Sequence, residues 1–85
     1  MKTFRNLKFE PNFYGDGIRS VMEFDNGYGV SVIRSNTSYS GLSGFYELAV
    51  LKDGSLCYDT PITDDVLGWL TKDRVTEIMK QVQEL

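Results

Sequence analysis

The stretch Ile18 to Arg34, IRSVMEFDNGYGVSVIR, decides the fold, because it predicts a β-hairpin around the loop Asp25–Gly27. If Gly27 adopts the left-handed conformation that closes a three-residue loop, Phe24 pairs with Tyr28. A two-residue turn would shift the register by one residue and scatter the apolar side chains over both faces. The longer loop is therefore predicted, because it gathers the apolar side chains on one face: Ile18, Met22, Phe24, Tyr28, Val30 and Val32.

A second hairpin is predicted over residues 45–59, with a three-residue loop at Lys52–Gly54 that pairs Val50 with Leu56. Its core-facing side chains are then Tyr46, Leu48, Val50, Leu56 and Tyr58. Its opposite face carries Phe45, Glu47, Ala49, Leu51 and Cys57. That face is too apolar for full exposure, so it is either covered within the fold or meets a partner, which includes a second copy of the chain.

The segments around the hairpins predict a candidate further strand and loops. Thr3–Phe9 alternates apolar and polar residues and is a candidate first strand, which Pro11 would end. Residues 35–44, SNTSYSGLSG, contain no charge and many turn-forming residues, so they predict a connecting loop.

The C-terminal third predicts two helices. Thr63 is a candidate N-cap of a short helix with Asp64 and Asp65 in its first turn, and Trp69 is expected in that helix, where a core position is favoured over a partly exposed anchor at an interface. Thr71 is a candidate N-cap of a second helix. This helix is amphipathic, with an apolar stripe formed by Val75, Ile78, Met79, Val82 and Leu85.

Together these elements predict a single α+β domain over residues 1–85. Its sheet is an antiparallel four-stranded meander, with Thr3–Phe9 as a candidate fifth strand. The short helix follows the sheet, and the C-terminal amphipathic helix packs on one face.

Composition narrows the function classes. The formal net charge of −3 disfavours direct binding to nucleic acid, whose phosphates require a basic surface. The chain has no histidine and a single cysteine, Cys57, so catalytic Ser-His or Cys-His systems and a Cys/His metal site are not expected. Cys57 is expected to act as a small buried hydrophobic residue. No apolar run is long enough for a membrane span, and a cytoplasmic protein without a cofactor is predicted.

A binding site is predicted at the open end of the first hairpin, where Arg19 and Arg34 lie on neighbouring strands. An anionic ligand or an acidic protein surface is the expected occupant, and ordinary charged residues at strand ends are the competing interpretation. Loop aromatics and polar loop residues suit recognition on a rigid sheet. The predicted binding residues are Arg34, Asn36, Ser38, Tyr39, Ser40, Tyr14 and Arg19.

Three segments carry a resemblance to a known group of proteins: GYGVSVIR (27–34), GFYELAVL (44–51) and YDTPITDDVLGWLT (58–71). With the C-terminal helix they resemble small uncharacterised accessory proteins encoded by tailed bacteriophages, over about the last two thirds of the chain. The resemblance includes no catalytic motif and assigns no functional residue. It implies a viral, non-structural protein in the cytoplasm of the infected bacterium, which binds a host protein and inhibits or redirects it, including proteins of host defence.

The sequence thus favours a non-enzymatic binding module that presents the 35–44 loop to a protein partner. The alternative is a small-ligand protein that binds or sequesters nucleotides, with Arg19, Arg34 and loop amides holding phosphate. Asp64 and Asp65 point about 100° apart on a helix and do not form a metal or acid–base pair, so an enzyme is the third hypothesis.

Overall fold

The computed structural model describes residues 1–11, 17–35 and 43–85. The described elements, in chain order, are a 3-10 helix (Phe4–Asn6), strands β1 (Glu10–Pro11), β2 (Ile18–Glu23), β3 (Tyr28–Arg34), β4 (Tyr46–Lys52), β5 (Ser55–Leu56) and β6 (Leu67–Leu70), and helix α1 (Lys72–Gln83).

The strands form one antiparallel sheet in the order β1-β2-β3-β4-β5, so each of these strands pairs with the next strand in the chain. β6 also pairs with β4, and it occupies the edge of β4 beyond the short β5. α1 packs on one face of the sheet, here called the inner face. The predicted α+β class, the antiparallel meander and the C-terminal helix on one face are confirmed.

The first hairpin has the predicted register. The amide of Phe24 donates to the carbonyl of Tyr28 at 2.7 Å, and Gly27 has the left-handed φ of 85° that closes the three-residue loop. Met22 lies opposite Val30. Val30 belongs to the core under α1, and Met22 packs against that core. Matching of apolar side chains therefore selected the correct loop here.

The predicted loop of the second hairpin is wrong by one residue. Asp53 and Gly54 both have positive φ values, 51° and 84°, which is the requirement of a two-residue type I′ turn. Leu56 consequently pairs with Leu51, not with Val50, and lies on the sheet face away from α1. There it is 60% exposed, and Tyr58 is also exposed, so neither is the core residue that was predicted.

The predicted first strand at Thr3–Phe9 is also wrong. The side-chain oxygen of Asn6 accepts a hydrogen bond from the amide of Thr3 at 2.9 Å, and this local bond favours a 3-10 turn over an extended strand. Leu7 and Phe9 still reach the core, and Phe4 and Phe9 pack against the ring of Tyr46.

The short helix predicted after Thr63 is replaced by a turn and a strand. The hydroxyl of Thr63 accepts from the amide of Asp65 at 3.1 Å, and a carboxylate oxygen of Asp65 accepts from the amide of Val66 at 2.7 Å. These side chains therefore satisfy turn amides instead of capping a helix. The chain that follows pairs with β4, which gives that edge of β4 a hydrogen-bonding partner.

The C-terminal helix begins and packs as predicted. The hydroxyl of Thr71 accepts a hydrogen bond from the amide of Arg74 at 3.1 Å, which is the geometry of an N-cap. The predicted stripe is buried except at its last residue, Leu85, which is exposed. The buried members are Val75, Ile78, Met79 and Val82, and they pack on Val30, Val32, Leu48 and Val50 of the inner face.

None of the helices in the described ranges is long and apolar enough to cross a membrane.

Candidate functional site

The face of the sheet opposite α1, here called the outer face, is lined by the side chains that alternate with the core residues. Because residues directly opposite one another in an antiparallel sheet share a face, the pairing fixes which side chains meet there. One row runs across β1, β2, β3 and β4 and consists of Glu10, Arg19, Ile33 and Glu47. Val21, Ser31 and Ala49 form the next row along the strands. The row after that consists of Glu23, Gly29, Leu51 and Leu56.

This outer face holds a groove of about 420 Å³. Its floor is made by Ser31, Ala49 and Leu51, which are only 5–7% exposed although α1 packs on the other face of the sheet. Val21 of β2 lines one side, and Leu56 of β5 lines the other. The volume of the groove lies within the usual range of ligand pockets.

Tyr58 and Val66 complete the side of the groove next to Leu56. They come from the segment that joins β5 to β6, so the two-residue turn at Asp53–Gly54 determines where this side begins. The groove is more apolar than polar, and its charged lining residues, Arg19 and Glu47, both lie in the row at one end.

Exposed apolar residues are concentrated around this groove. Among the described residues, four of the five exposed large hydrophobic side chains other than Met1 and Leu85 line this groove, and the fifth, Trp69, lies in β6 outside the lining. Contiguous exposed apolar surface of this kind is typical of interaction sites. These residues are Val21, Leu56, Tyr58, Val66 and Trp69.

Trp69 was predicted to be a core residue of a short helix, and both parts of that prediction are wrong. It lies in β6, where the three residue steps between Leu67 and Leu70 face only two residue steps of β4, between Leu48 and Tyr46. The extra residue forms a β-bulge, and Trp69 belongs to it. Its side chain is 59% exposed and its φ is 55°, the left-handed region that bulky residues rarely adopt. Its ring lies 5.6 Å from that of Phe45, which precedes the inward-facing Tyr46.

The two arginines of the predicted binding site lie on opposite faces of the sheet. Arg19 pairs with Ile33 and lines the groove of the outer face. Arg34 follows Ile33 on β3, so it points to the inner face, where it pairs with Ile18. The guanidinium carbon of Arg34 lies 6.0 Å from the ring centroid of Tyr46, a cation–π contact. The sheet therefore does not bring Arg19 and Arg34 together around one anion.

The other predicted binding residues lie outside the described residues, so the 35–44 loop site remains a sequence prediction. They are Tyr14, Asn36, Ser38, Tyr39 and Ser40.

Cys57, which was expected to be buried in a strand, is half-buried and directly follows β5. Within residues 1–11, 17–35 and 43–85, no three Cys, Asp or Glu side chains are grouped as metal ligands would be.

The sequence contained one usable signal for the groove. Ala49 and Leu51 alternate with the core residues of β4, and their apolar character predicted that this face is covered or meets a partner. The sides of the groove were missed, because they depend on the turn at Asp53–Gly54 and on the β6 pairing that displaced the expected helix.

Searches against protein-family models, curated proteins and solved structures found no match to this chain.

Proposed function

We propose that this protein is a non-enzymatic binding module that docks on another protein through the outer face of its sheet. The observation that carries the proposal is Trp69, a tryptophan of β6 that is 59% exposed and held in a left-handed backbone conformation, with its ring against Phe45.

The strain at Trp69 supports a role in binding rather than in folding. A bulky residue in the left-handed region costs on the order of 1–2 kcal/mol, and burial in the core does not offset this cost when most of the side chain is exposed. Tryptophan, with tyrosine and arginine, is also enriched among the side chains that dominate protein–protein binding energy.

The surroundings of Trp69 resemble a typical protein interface. Phe45 supports the indole ring, and the exposed side chains of Leu56, Tyr58 and Val66 extend the apolar surface along the sheet. Arg19 and Glu47 add charges of opposite sign within that surface. Aromatic residues with apolar neighbours are enriched at such sites.

The partner follows from the sequence resemblance. If the chain is an accessory protein of a tailed bacteriophage, the protein that covers the outer face belongs to the infected bacterium, and its inhibition or redirection is the function. The nucleotide-binding alternative gains no support from the described residues, because Arg19 and Arg34 lie on opposite faces of the sheet.

The test is affinity capture from a bacterial lysate with the tagged chain and with outer-face variants. We expect the wild-type chain to retain one host protein in stoichiometric amount. Trp69→Gly, which removes the anchor and its strain, and Leu56→Glu, which places a charge on the apolar surface, should each reduce that amount at least tenfold.

Leu85→Ala is the matched control, because Leu85 is an exposed leucine at the end of the chain, outside the groove lining. It should capture as much partner as the wild type. Tyr39→Ala tests the 35–44 loop separately. Full capture by both outer-face variants would show that the partner binds elsewhere, and no captured protein in any lysate would contradict the proposed function.

A further inference from the structure

We infer that the partner covers the outer face with one basic amphipathic α-helix, whose apolar stripe lies on the groove and whose Lys and Arg side chains lie beside the carboxylates around it. This inference rests on the proposed function, because it names the chemistry of the protein segment that docks there. Three features of the outer face support it: the dimensions of the groove, the side chains of its floor and the charges at its edge.

The outer face has the dimensions of one helix. From Val21 on β2 to Leu56 on β5 there are three strand spacings, about 14 Å in all. From the row of Glu47 to the row of Leu51 there are four residue steps, about 13 Å. An α-helix with its side chains is about 10–12 Å across, and about nine helical residues span 13 Å. One helix therefore covers the groove in both directions.

The inner face of the same sheet shows how such a helix docks. There α1 covers β3 and β4 with apolar side chains that recur at helical spacing: Val75, Ile78, Met79 and Val82. The strand spacing is the same on both faces, so the outer side chains of β3 and β4 offer a surface of similar size. A helix also pairs its own backbone groups, whereas an isolated strand lying flat on the groove would leave its amides and carbonyls against apolar side chains.

The floor of the groove favours large apolar side chains on the occupant. Ser31 and Ala49 are small and lie between the exposed side chains of Val21 and Leu56. Leu, Ile, Met or Phe side chains on one stripe of the bound helix therefore reach the floor and contact these exposed residues. An apolar stripe laid into an apolar groove is a common mode of helix recognition.

The rows at both ends of the groove contain more carboxylates than cations. The row at one end holds Glu10, Arg19 and Glu47, with Glu10 directly opposite Arg19. The row at the other end holds Glu23. Its Oε1 atom lies 3.4 Å from the position that a Cβ on Gly54 would occupy, so this side chain extends across the outer face toward the second turn. Arg19 is the one cation in these two rows of described residues.

The side of the groove formed by Tyr58 and Val66 is acidic as well. Asp59 directly follows Tyr58, and a carboxylate oxygen of Asp65 accepts a hydrogen bond from the amide of Val66 at 2.7 Å. Both aspartates are exposed. Carboxylates thus lie at both ends and along one side, where they meet Lys or Arg side chains that flank the apolar stripe of a bound helix.

The cations of the neighbouring strand positions do not offset this charge on the outer face. Arg34 and Lys52 point to the inner face, where the guanidinium carbon of Arg34 lies 6.0 Å from the ring centroid of Tyr46. The ammonium nitrogen of Lys52 lies 5.1 Å from the ring centroid of Tyr28. Two copies of the chain face to face would bring carboxylates together, and nucleic acids and anionic membranes carry the same sign of charge as the edge of the groove. A basic protein segment is the occupant that matches.

The test is an NMR titration of the isotope-labelled full chain with a helical Leu/Lys peptide of about fourteen residues, with leucine recurring at i, i+3, i+4 and i+7 and lysine elsewhere. We expect saturable shifts of the backbone amides of Ser31, Ala49 and Leu51, and no comparable shifts in α1. A Leu/Glu peptide with the same stripe should bind about tenfold more weakly, and so should a scrambled Leu/Lys peptide without a stripe.

Two pairs of variants locate the site. Glu23→Lys should weaken binding of the Leu/Lys peptide about fivefold, whereas Glu84→Lys, the same change in net charge at the end of α1, should bind within about twofold of the wild type. Leu56→Ser removes an apolar contact and should weaken binding about tenfold. Leu85→Ser removes an exposed leucine outside the groove lining and should have no effect. Thermal unfolding checks that all four variants fold.

Three results would overturn the inference: no saturable shift with the Leu/Lys peptide, equal binding of the Leu/Glu peptide, or equal weakening by Glu23→Lys and Glu84→Lys. If Trp69→Gly and Leu56→Glu nevertheless abolish capture of a host protein, the proposed function stands and only the basic helix is wrong. Peptide binding with the expected variant effects, but without capture of any protein, supports the chemistry assigned to the groove and contradicts the proposed function.

Discussion

The side-chain amide of Asn26 donates a hydrogen bond to the backbone carbonyl of Val82 at 2.9 Å, which ties the turn of the first hairpin to the last turn of α1. The side-chain oxygen of Asn26 also accepts from the amide of Tyr28 at 3.1 Å. One side chain thus closes the hairpin loop and gives the carbonyl of Val82, which also accepts from the amide of Leu85 at 3.2 Å, a partner outside the helix.

Asn26→Asp should therefore destabilise the fold. The aspartate keeps an acceptor for the amide of Tyr28 but loses the donor to Val82, and it places a negative charge at the negative end of the helix dipole. We expect the free energy of unfolding to fall by about 1–2 kcal/mol, measured by urea denaturation.

The neighbouring variant Asp25→Asn provides the control for a change in the same exposed turn. It should leave stability within about 0.5 kcal/mol of the wild type. Wild-type stability of Asn26→Asp would show that the bond to Val82 contributes nothing to the docking of α1.

The turn of the second hairpin should be sensitive at Gly54. Its φ of 84° is left-handed, so Gly54→Ala should lower the free energy of unfolding by about 1 kcal/mol. Gly68→Ala is the matched control, because Gly68 does not have a left-handed φ and a Cβ there would meet no atom within 4 Å. Thermal unfolding of both variants checks this, and equal losses would contradict the type I′ turn.

The two hairpins show what the sequence could and could not predict. In the first, the three-residue loop was predicted because it alone placed Phe24, Tyr28 and the other apolar residues on one face. The same reasoning failed for the second, because β5 has only two residues at the edge of the sheet and does not have to bury Leu56. The ability of Asp53 and Gly54 to adopt left-handed conformations determined the register instead.

The helix predicted for the segment around Trp69 was wrong for a different reason. Thr63, Asp64 and Asp65 match the residue preferences of a helix start, but the same side chains also stabilise turns by bonding to nearby amides. The choice depended on a tertiary partner, the free edge of β4, which local sequence does not reveal. The helix after Thr71 was predictable because its N-cap residue and the helical spacing of its apolar residues both indicate the same helix.

The candidate site was predictable only in part. The alternating apolar residues of β4 predicted that its outer face is covered or meets a partner, and Arg19 was among the predicted binding residues. Arg19 and Arg34 lie on neighbouring strands at the open end of the first hairpin, as predicted. They point to opposite faces of the sheet, because consecutive residues of a strand alternate in direction and only the register shows which arginine lies on which face.

The cap of α1 gives a further prediction. Thr71→Ala removes the hydroxyl that accepts from the amide of Arg74, and it should lower the free energy of unfolding by about 1 kcal/mol. Thr71→Ser retains the acceptor and should differ from the wild type by only a few tenths of that amount. Urea denaturation of the pair checks this, and equal losses would indicate that the methyl group of Thr71, not its hydroxyl, is what stabilises the helix start.

Trp69 allows the contributions of backbone strain and of the side chain to be separated. Trp69→Ala and Trp69→Gly both lose the contact with Phe45, but only glycine adopts a φ of 55° without strain. We therefore expect Trp69→Gly to be more stable than Trp69→Ala by about 1 kcal/mol, measured by thermal and urea unfolding.

The comparison with the wild type then tests why a strained tryptophan is present. Loss of the Phe45 contact costs about 0.5–1.5 kcal/mol, and relief of the strain returns a similar amount, so Trp69→Gly should fold with nearly wild-type stability. A folded Trp69→Gly variant that no longer captures the partner assigns the indole to binding. If Trp69→Gly instead unfolds at much lower urea than Trp69→Ala, the bulge does not hold a left-handed residue, and the strain argument fails.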